Sequence, residues 1–454
     1  EGYVHSFQPC VQGTPLLRLT EYGPSGEARD VEVECETCGK KRRLAQAFGE
    51  ENRKDLPLCN GRRPHLRDYD EDECYQTIRP IILGASNIWF PVVLSAIAIP
   101  VESGKLAQLV TDYWAVAQKV NSLEVLQAFR SIGQLAMFSA YKEDEIWAAI
   151  QAKREQDAGN QPTPDATDLK SPEWQVLTQF DPNRNGDDFR LRPVAAPQPF
   201  ASVIRQVVLA ERLREVRAMI GFTRIDSIGE MGDPDLEQAT QRAPLSRFSP
   251  EWVPADEVRG EGIFIQFDEE AISRWVSQSY IKERADSFFE AHKRWRASRR
   301  LDPPEAGFPG MRYALLHSFS HALMRQLALE CGYTSASIRE RIYSRDEVSS
   351  EPMAGILLYT SAPDSEGTLG GLVSLGEPET LGRHIAQALE AMRLCASDPL
   401  CAEHEPSRRG QTLHGAACHA CLFAPETSCE RGNKYLDRSV LVRTVENDQF
   451  AFFQ

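Results

Sequence analysis

The spacing of the cysteines constrains this chain more than any other feature of its sequence. The 454 residues include 11 cysteines, and apart from Cys10 and Cys331 these fall into two groups near opposite ends of the chain. A secreted disulfide framework is usually denser and follows a signal peptide, but the first residues (EGYVHSFQPC) contain neither a basic nor an apolar segment. Grouped cysteines in such a chain favour bound zinc. We therefore expect a cytoplasmic zinc protein, and the lack of an initiator Met suggests a start inside a longer gene product.

The C-terminal group contains a CxxC pair. Cys418 and Cys421 have two residues between them, the spacing that lets two thiolates bind one Zn²⁺. Cys429 follows, and either Cys401 or Cys395 can complete a tetrahedron; Cys401 lies nearer the pair and is preferred. A closed four-sulfur site is structural rather than catalytic. The sequence therefore predicts a structural zinc bound by Cys401, Cys418, Cys421 and Cys429, with Cys395 as the alternative ligand.

The N-terminal group contains a second CxxC pair, Cys35 and Cys38. Cys59 and Cys74 follow at intervals of 20 and 14 intervening residues. One pair with two single cysteines is a weaker pattern than two pairs, but all four lie in turn-rich sequence. We predict that Cys35, Cys38, Cys59 and Cys74 bind a second structural zinc in a zinc-ribbon-like region over residues 1–100.

The middle of the chain is expected to be predominantly helical. Asn121 and Glu124 resemble a capping box that opens one helix, and apolar spacing predicts another helix from Phe200 to Met219. We assign residues 101–300 to this helical region. Its predicted loops are residues 155–195 and 226–261.

The C-terminal region, residues 301–454, is predicted to combine helices and a strand. A buried helix is expected from Tyr313 to Leu329, a strand from Met353 to Thr360, and a helix from about Thr380 to Leu394. The predicted fold class is α+β: a mostly helical, multi-domain chain with an N-terminal zinc-ribbon-like module and a C-terminal α/β zinc-binding domain.

Several signals of enzymes are missing from the sequence. No G-x-x-x-x-G-K-[ST] motif occurs, so we expect the chain to bind no nucleotide. His317 and His321 have the i, i+4 spacing of zinc-protease ligands, but Ser318 replaces the glutamate of H-E-x-x-H, and apolar neighbours favour core histidines. We therefore predict that the chain is not an enzyme. The alternative is a metal-dependent nuclease or peptidase that uses His317, His321, Asp364 and Glu366.

The charge balance bears on nucleic acid and membrane binding. The net charge of -15 argues against a surface that coats nucleic acid, and the longest apolar run, residues 88–100, is shorter than the ~20 residues of a membrane span. One basic stretch with an aromatic residue suits either a phosphate backbone or an acidic partner protein. This strip comprises Lys293, Arg294, Trp295, Arg296, Arg299 and Arg300.

Three motifs in the C-terminal third resemble the MrfA-type zinc-binding (MZB) domain. They are LLHSFSHALMRQLA at 315–328, GILLYTSAPDSEGTLGGL at 355–372, and the cysteine group followed by NKYLDR at 433–438. The resemblance implies a domain that carries four cysteines on a zinc and sits on or beside superfamily 2 helicases.

Two further motifs extend the resemblance to the N-terminal part. CNGRRPHL at 59–66 and LGASNIWFPVVLSAIAIP at 83–100 resemble the DrmB family, the MZB-bearing subunits of the DISARM anti-phage system. The resemblance covers most of the chain. It implies a non-catalytic accessory subunit that forms a heterodimer with a large helicase, DrmA, and meets DNA through that complex.

Overall fold

The computed structural model of the chain divides into two compact units. The smaller unit comprises residues 1–91, 220–227 and 241–253, and the larger comprises residues 92–219, 228–240 and 254–454. The larger unit therefore continues across residue 300, where the sequence had suggested a boundary. The structure describes residues 17–21, 32–35, 39, 41–43, 62–63, 65–69, 90–99, 106, 109–157, 168–223, 243–248, 252–298, 301–332, 335–346, 351–360, 371–406 and 412–453.

The smaller unit contains short antiparallel strands. One three-stranded sheet and one two-stranded sheet are described. The strands are β1 (Leu17–Glu21), β2 (Glu32–Cys35), β3 (Lys41–Arg43), β4 (Arg62–Arg63) and β5 (Asp68–Tyr69). Cys35 is the last residue of β2, but its side chain lies outside the described residues, as do Cys38, Cys59 and Cys74. The N-terminal zinc and the zinc-ribbon-like module stay predictions.

The larger unit is built on a six-stranded sheet. Its strands are β6 (Phe90–Ile97), β7 (Arg190–Val194), β8 (Ile204–Thr223), β9 (Ala255–Phe267), β10 (Ile338–Arg345) and β11 (Met353–Thr360). The order is β10-β11-β9-β8-β6, and β7 also pairs with β8. The pairings of β7 with β8, β8 with β9, β9 with β11 and β10 with β11 are antiparallel. The α+β prediction is confirmed by this combination of helices and an antiparallel sheet.

The larger unit also contains the described α-helices. They are α1 (Trp114–Ala117), α2 (Leu123–Ser131), α3 (Glu143–Asp157), α4 (Lys170–Thr178), α5 (Glu269–Val276), α6 (Ser279–Ser298), α7 (Gly310–Cys331), α8 (Gly371–Leu375) and α9 (Pro378–Met392). Ser122, not Asn121, caps α2, because its hydroxyl accepts a hydrogen bond from the Val125 N–H.

Apolar side chains are buried on both faces of the sheet. On β8, Val207 and Leu209 join the main core, whereas Val208 and Ala210 join a second core on the other face. Alternate residues of a strand point to opposite faces, so a strand covered on both sides has a continuous apolar sequence. The prediction of a helix from Phe200 to Met219 is therefore wrong. A continuous apolar run of this kind has the same pattern as a buried helix.

Helix α7 crosses the main core and is buried along most of its length. The prediction of a buried helix here is confirmed, and Gly332 ends it with a left-handed φ of 68°. The strand predicted at Met353–Thr360 is β11, and all its residues are buried. Helix α9 begins at Pro378, whose ring suits the first turn of a helix, and it packs on α7.

Among the described residues, no helix combines the length and the apolar character that a bilayer crossing requires.

Candidate metal centres

Four cysteine thiols converge beyond the C-terminal end of α9. Cys395 and Cys401 follow that helix, and Cys418 and Cys421 lie on a later turn. The Sγ atoms are 3.5 Å apart for Cys395 and Cys418, 3.7 Å for Cys401 and Cys421, and 3.8 Å for Cys418 and Cys421. A tetrahedral Zn²⁺ with bonds of about 2.3 Å separates its sulfurs by about 3.8 Å, whereas a disulfide bond is about 2.05 Å long. The spacing therefore fits one four-thiolate zinc site and no disulfide.

Backbone amides surround these sulfurs. The Cys418 N–H donates to the Cys421 Sγ at 3.3 Å, and the Ser397 N–H donates to the Cys395 Sγ at 3.4 Å. Such donors stabilise thiolates, the form that binds metal. Burial raises the pKa of the Cys418 thiol, but hydrogen bonds from the Ala420 backbone and the neighbouring thiols outweigh burial and bring this pKa to about 7.

A buried ion pair orients the loop that carries the first two cysteines. The Asp398 carboxylate accepts the Cys395 N–H at 2.8 Å and pairs with the guanidinium of Arg438. Arg438 is completely buried and also donates to the carbonyl oxygens of Met392 and Arg393, at 2.8 and 3.1 Å. The Arg438 side chain therefore joins the end of α9 to the loop that carries Cys395 and Cys401. Its positive charge stabilises the carbonyl oxygens at the end of the helix and the Asp398 carboxylate.

The predicted ligand set needs one correction. The structure brings both Cys395 and Cys401 to the CxxC pair, and it places Cys429 elsewhere. Cys429 follows Ser428, whose carbonyl oxygen accepts the N–H of Glu340 on β10 at 3.1 Å. This contact holds the segment against β10 and α7, away from the other thiols. We name the set Cys395, Cys401, Cys418 and Cys421 the four-cysteine cluster.

Cys429 belongs to a second group of potential ligands, with His317 and His321 from α7 and Glu340 from β10. The His317 Nε2 lies 3.1 Å from the Cys429 Sγ and 3.0 Å from the Glu340 Oε1. The His321 Nε2 lies 3.3 Å from the same carboxylate oxygen. All four side chains are buried. We name this set the mixed cluster.

The electrostatics of the mixed cluster are strongly coupled. Burial raises the pKa of the Glu340 carboxyl, but the positive charges of His317 and His321 outweigh burial and hold this pKa well below its ordinary value. Burial lowers the pKa of both imidazoles, but the negative charges of Glu340 and Cys429 raise it above the ordinary value. Each group therefore stabilises the charged form of its neighbours of opposite sign, and burial keeps solvent away from them.

The sequence identified some of these residues and missed others. The sequence showed the i, i+4 spacing of His317 and His321 but favoured core histidines over metal ligands. Their burial confirms that they lie in the core and does not decide whether they bind metal. Glu340 was missed, because it lies in an otherwise ordinary strand, IRERIYSR, with no motif around it. Asp364 and Glu366, the carboxylates of the alternative hydrolase, lie outside the described residues.

The structure separates the members of the basic strip. Arg296 is buried on α6, where its Nε donates to the Pro303 carbonyl oxygen at 3.2 Å, so it cannot contact a partner from the surface. Lys293 is partly exposed and pairs with Glu290, and Arg294 is exposed. The Lys434 ammonium lies over the Trp295 ring, 4.5 Å from its centroid. The strip fails as a continuous surface because a helix turns these neighbouring residues to different sides. Arg299 and Arg300 lie outside the described residues.

Family models match both ends of the chain. The MrfA Zn-binding domain (MZB) matches residues 319–422, which include α9 and the four-cysteine cluster. A domain of unknown function, DUF8724, matches residues 1–90. The crystal structure of the DUF1998 helicase MrfA bound to DNA aligns with 49% of this chain and 23% of its own, at 10% identity and a TM-score of 0.23, which is too low to carry an argument.

A curated relative matches nearly the whole chain. The DISARM protein DrmB of Bacillus paralicheniformis is 34% identical over 446 residues, and the match covers 96% of this chain and 77% of that protein. The family resemblance noted in the sequence motifs is confirmed by this identity. The chain belongs to the DrmB family of DISARM proteins.

Proposed function

We propose that the chain is a non-catalytic accessory subunit of an anti-phage DISARM complex, in which it binds and supports a superfamily 2 helicase, DrmA, that acts on DNA. The observation that carries this proposal is the 34% identity to the DISARM protein DrmB over 96% of the chain. In this proposal the four-cysteine cluster binds a structural Zn²⁺ that shapes the C-terminal domain.

The four-cysteine cluster supports a structural role. A catalytic zinc keeps one coordination position open for water or substrate, whereas a structural zinc fills all four positions with protein ligands. Here four thiols lie within 4.8 Å of one another, which is enough protein ligands to fill all four positions of one ion. The zinc would supply folding free energy and fix the segments before and after it, and no reacting group is required.

The mixed cluster gives little support to the hydrolase alternative. A pocket of about 320 Å³ lies beside His321 and is lined also by Arg325 and His419. However, the His321 Nδ1 is 2.7 Å from the Leu422 carbonyl oxygen, and its Nε2 faces Glu340. Both ring nitrogens are therefore occupied, and His321 has no free atom to act on a substrate in that pocket.

The charge distribution supports contact with DNA through the complex rather than through this chain alone. The net charge of -15 repels a polyanion at long range. Of the basic strip, Arg296 is buried, and Lys293 already pairs with Glu290 at 2.5 Å. The exposed Arg294 is the described member best placed to meet a phosphate or an acidic partner surface.

Co-expression with the DrmA of the same system tests the proposal. We expect the two chains to co-purify, the lone chain to hydrolyse no ATP, and the complex to hydrolyse ATP. Cys418→Ser should abolish co-purification and phage restriction, whereas Cys331→Ser, at a cysteine outside both clusters, should preserve them. ATP hydrolysis by the lone chain that persists after helicase contaminants are removed contradicts the proposal. Failure of the two native chains to associate contradicts it as well.

A further inference from the structure

The mixed cluster has the convergence of a metal site rather than that of an ordinary buried ion pair. One potential ligand atom from each of His317, His321, Glu340 and Cys429 lies within 4.8 Å of all the others. A tetrahedral zinc site with Zn–N and Zn–O bonds of about 2.0–2.2 Å has edges of about 3.3–3.6 Å. The nitrogen-to-oxygen spacings are 3.3 Å, at the lower end of this range, and 3.0 Å, slightly below it. The nitrogen-to-sulfur spacing of 3.1 Å is shorter than the edge of about 3.5 Å that a Zn–S bond of about 2.3 Å gives. Small outward shifts would therefore accommodate an ion.

Hydrogen bonding fixes the orientation of the His321 ring. Its Nδ1 lies 2.7 Å from the Leu422 carbonyl oxygen, which can only accept, so Nδ1 carries the proton. In the neutral ring, Nε2 then presents a lone pair to Glu340 Oε1, another acceptor, at 3.3 Å. Two facing acceptors require a cation between them, which is either a second proton on the ring or a metal ion. A backbone carbonyl that holds one nitrogen while the other binds metal is the usual arrangement of a histidine ligand.

The other groups are held in ways that suit ligands. The Asn433 N–H donates to the Cys429 Sγ at 3.1 Å, which stabilises a thiolate. The Glu340 Oε2 accepts the Ser320 hydroxyl at 2.5 Å, and Oε1 accepts the Glu430 N–H at 3.1 Å while it faces both imidazoles. The His317 Nδ1 is buried without a hydrogen-bond partner in the described part of the chain, whereas its Nε2 lies 3.0 Å from Glu340 Oε1 and 3.1 Å from Cys429 Sγ.

The charges of the cluster balance with one divalent cation. One thiolate, one carboxylate and two neutral imidazoles carry two negative charges in total. Burial of uncompensated charge is costly, so the site needs two protons or one dication. A single ion satisfies all four groups at once, whereas two protons must be shared among four acceptors.

We propose that His317, His321, Glu340 and Cys429 bind a second structural Zn²⁺ in the larger unit. Nitrogen, sulfur and carboxylate ligands in a tetrahedron suit zinc, whereas Ca²⁺ and Mg²⁺ prefer oxygen ligands alone. The ion joins α7, β10 and the segment after the CxxC pair, and His317 and Cys429 are 112 positions apart in the chain. All four ligands are protein side chains, so the site is closed.

Metal analysis of matched variants tests the proposal. Zinc per chain is measured by plasma mass spectrometry for the native chain, Cys401→Ser, Cys429→Ser and the double variant, purified under reducing conditions without chelators. We expect each single variant to lose one zinc and the double variant to lose two. Cys331→Ser should lose none, because that cysteine lies outside both clusters. The readout is a difference, so any zinc bound by the N-terminal cysteines does not affect it.

A second measurement uses the native chain and does not depend on the folding of a variant. After replacement of zinc by ¹¹³Cd, NMR should show one resonance typical of four thiolates and another typical of nitrogen, oxygen and a single sulfur. Spectra with all-thiolate resonances only, or a Cys429→Ser variant that folds and keeps the native zinc content, overturn the proposal.

Discussion

The members of the four-cysteine cluster and those of the mixed cluster are brought together in different ways, the first mainly by local turns and the second by tertiary packing. The first uses residues from 395 to 421, and its CxxC turn sets one pair of sulfurs locally. The second joins a helix, a strand and a late loop, and only His317 and His321 are neighbours by local geometry. The comparison teaches that sequence spacing reveals a cluster of potential ligands only when a local turn positions its members.

Solvent access also differs between the clusters. Cys418 is partly exposed and Cys395 is 9% exposed, whereas His317 and Glu340 are 0% and 1% exposed. The four-cysteine cluster lies nearer the surface. The mixed cluster lies between α7 and β10, where packing of the core already contributes stability.

The largest expected effect is the loss of the four-cysteine cluster. Cys421→Ser removes one ligand, and structural zinc contributes on the order of 10 kcal/mol to the folding of small zinc domains. We expect the variant to lose zinc and to become insoluble or to melt at a much lower temperature. Metal content and thermal unfolding measure the effect, with Cys331→Ser as the control. An unchanged melting temperature contradicts a structural role for this cluster.

A smaller effect is expected in the mixed cluster. Glu340→Gln preserves the side-chain shape but removes the negative charge beside two buried imidazoles. Removal of one charge from a buried, charge-balanced group costs about 3–5 kcal/mol, because the opposite charge is left uncompensated. Urea unfolding should detect this loss, and Glu330→Gln on the exposed side of α7 should change stability by less than about 0.5 kcal/mol. Equal stabilities for the two variants would mean that the mixed cluster contributes nothing.

Predictability from sequence follows the same division. Helix α7 and strand β11 were predicted because long apolar runs with the right lengths and a terminal Gly332 specify them locally. Strand β8 was mistaken for a helix, because its burial on both faces depends on neighbouring layers that the sequence does not display. Glu340 could not be found, because its role depends on contact with α7 and with the segment around Cys429.

The basic strip offers a matched pair of variants on one helix. Arg296→Gln removes a buried cation that donates to the Pro303 carbonyl oxygen, and the loss of a buried hydrogen-bonded group costs about 1–3 kcal/mol. Arg294→Gln changes an exposed residue and should alter stability by less than about 0.5 kcal/mol. Urea unfolding separates the two. In the complex with helicase, Arg294→Gln is the variant expected to weaken DNA or partner binding. If Arg294→Gln destabilised the chain more than Arg296→Gln, the assignment of Arg296 to the interior and Arg294 to the surface would be contradicted.

The smallest effect is expected at a polar cluster with no metal chemistry. Burial raises the pKa of the Asp168 carboxyl, but hydrogen bonds from Ser171 and Arg345 outweigh burial and lower this pKa to about 2. A depressed pKa stabilises the fold above the ordinary value of 3.8, and the contribution is lost as pH falls toward 2. The side chain is 47% exposed, so solvent screening limits the contribution to below about 1 kcal/mol.

Asp168→Asn tests this sign. The stability difference from the native chain should be the same at pH 7 and pH 5, because both values lie above the titration window. It should shrink only below about pH 4. Urea unfolding at pH 7, pH 5 and about pH 3 measures this change, and a difference that stays the same or grows between pH 5 and about pH 3 contradicts the assigned pKa direction.

Anomalous diffraction from crystals of the native chain, recorded on both sides of the zinc absorption edge, tests the two-cluster account most directly. Within the described part of the larger unit, the account predicts one peak among Cys395, Cys401, Cys418 and Cys421 and a second among His317, His321, Glu340 and Cys429. A peak at the four cysteines alone contradicts the mixed zinc site. The lack of a peak at either cluster contradicts the structural role assigned to zinc in this domain.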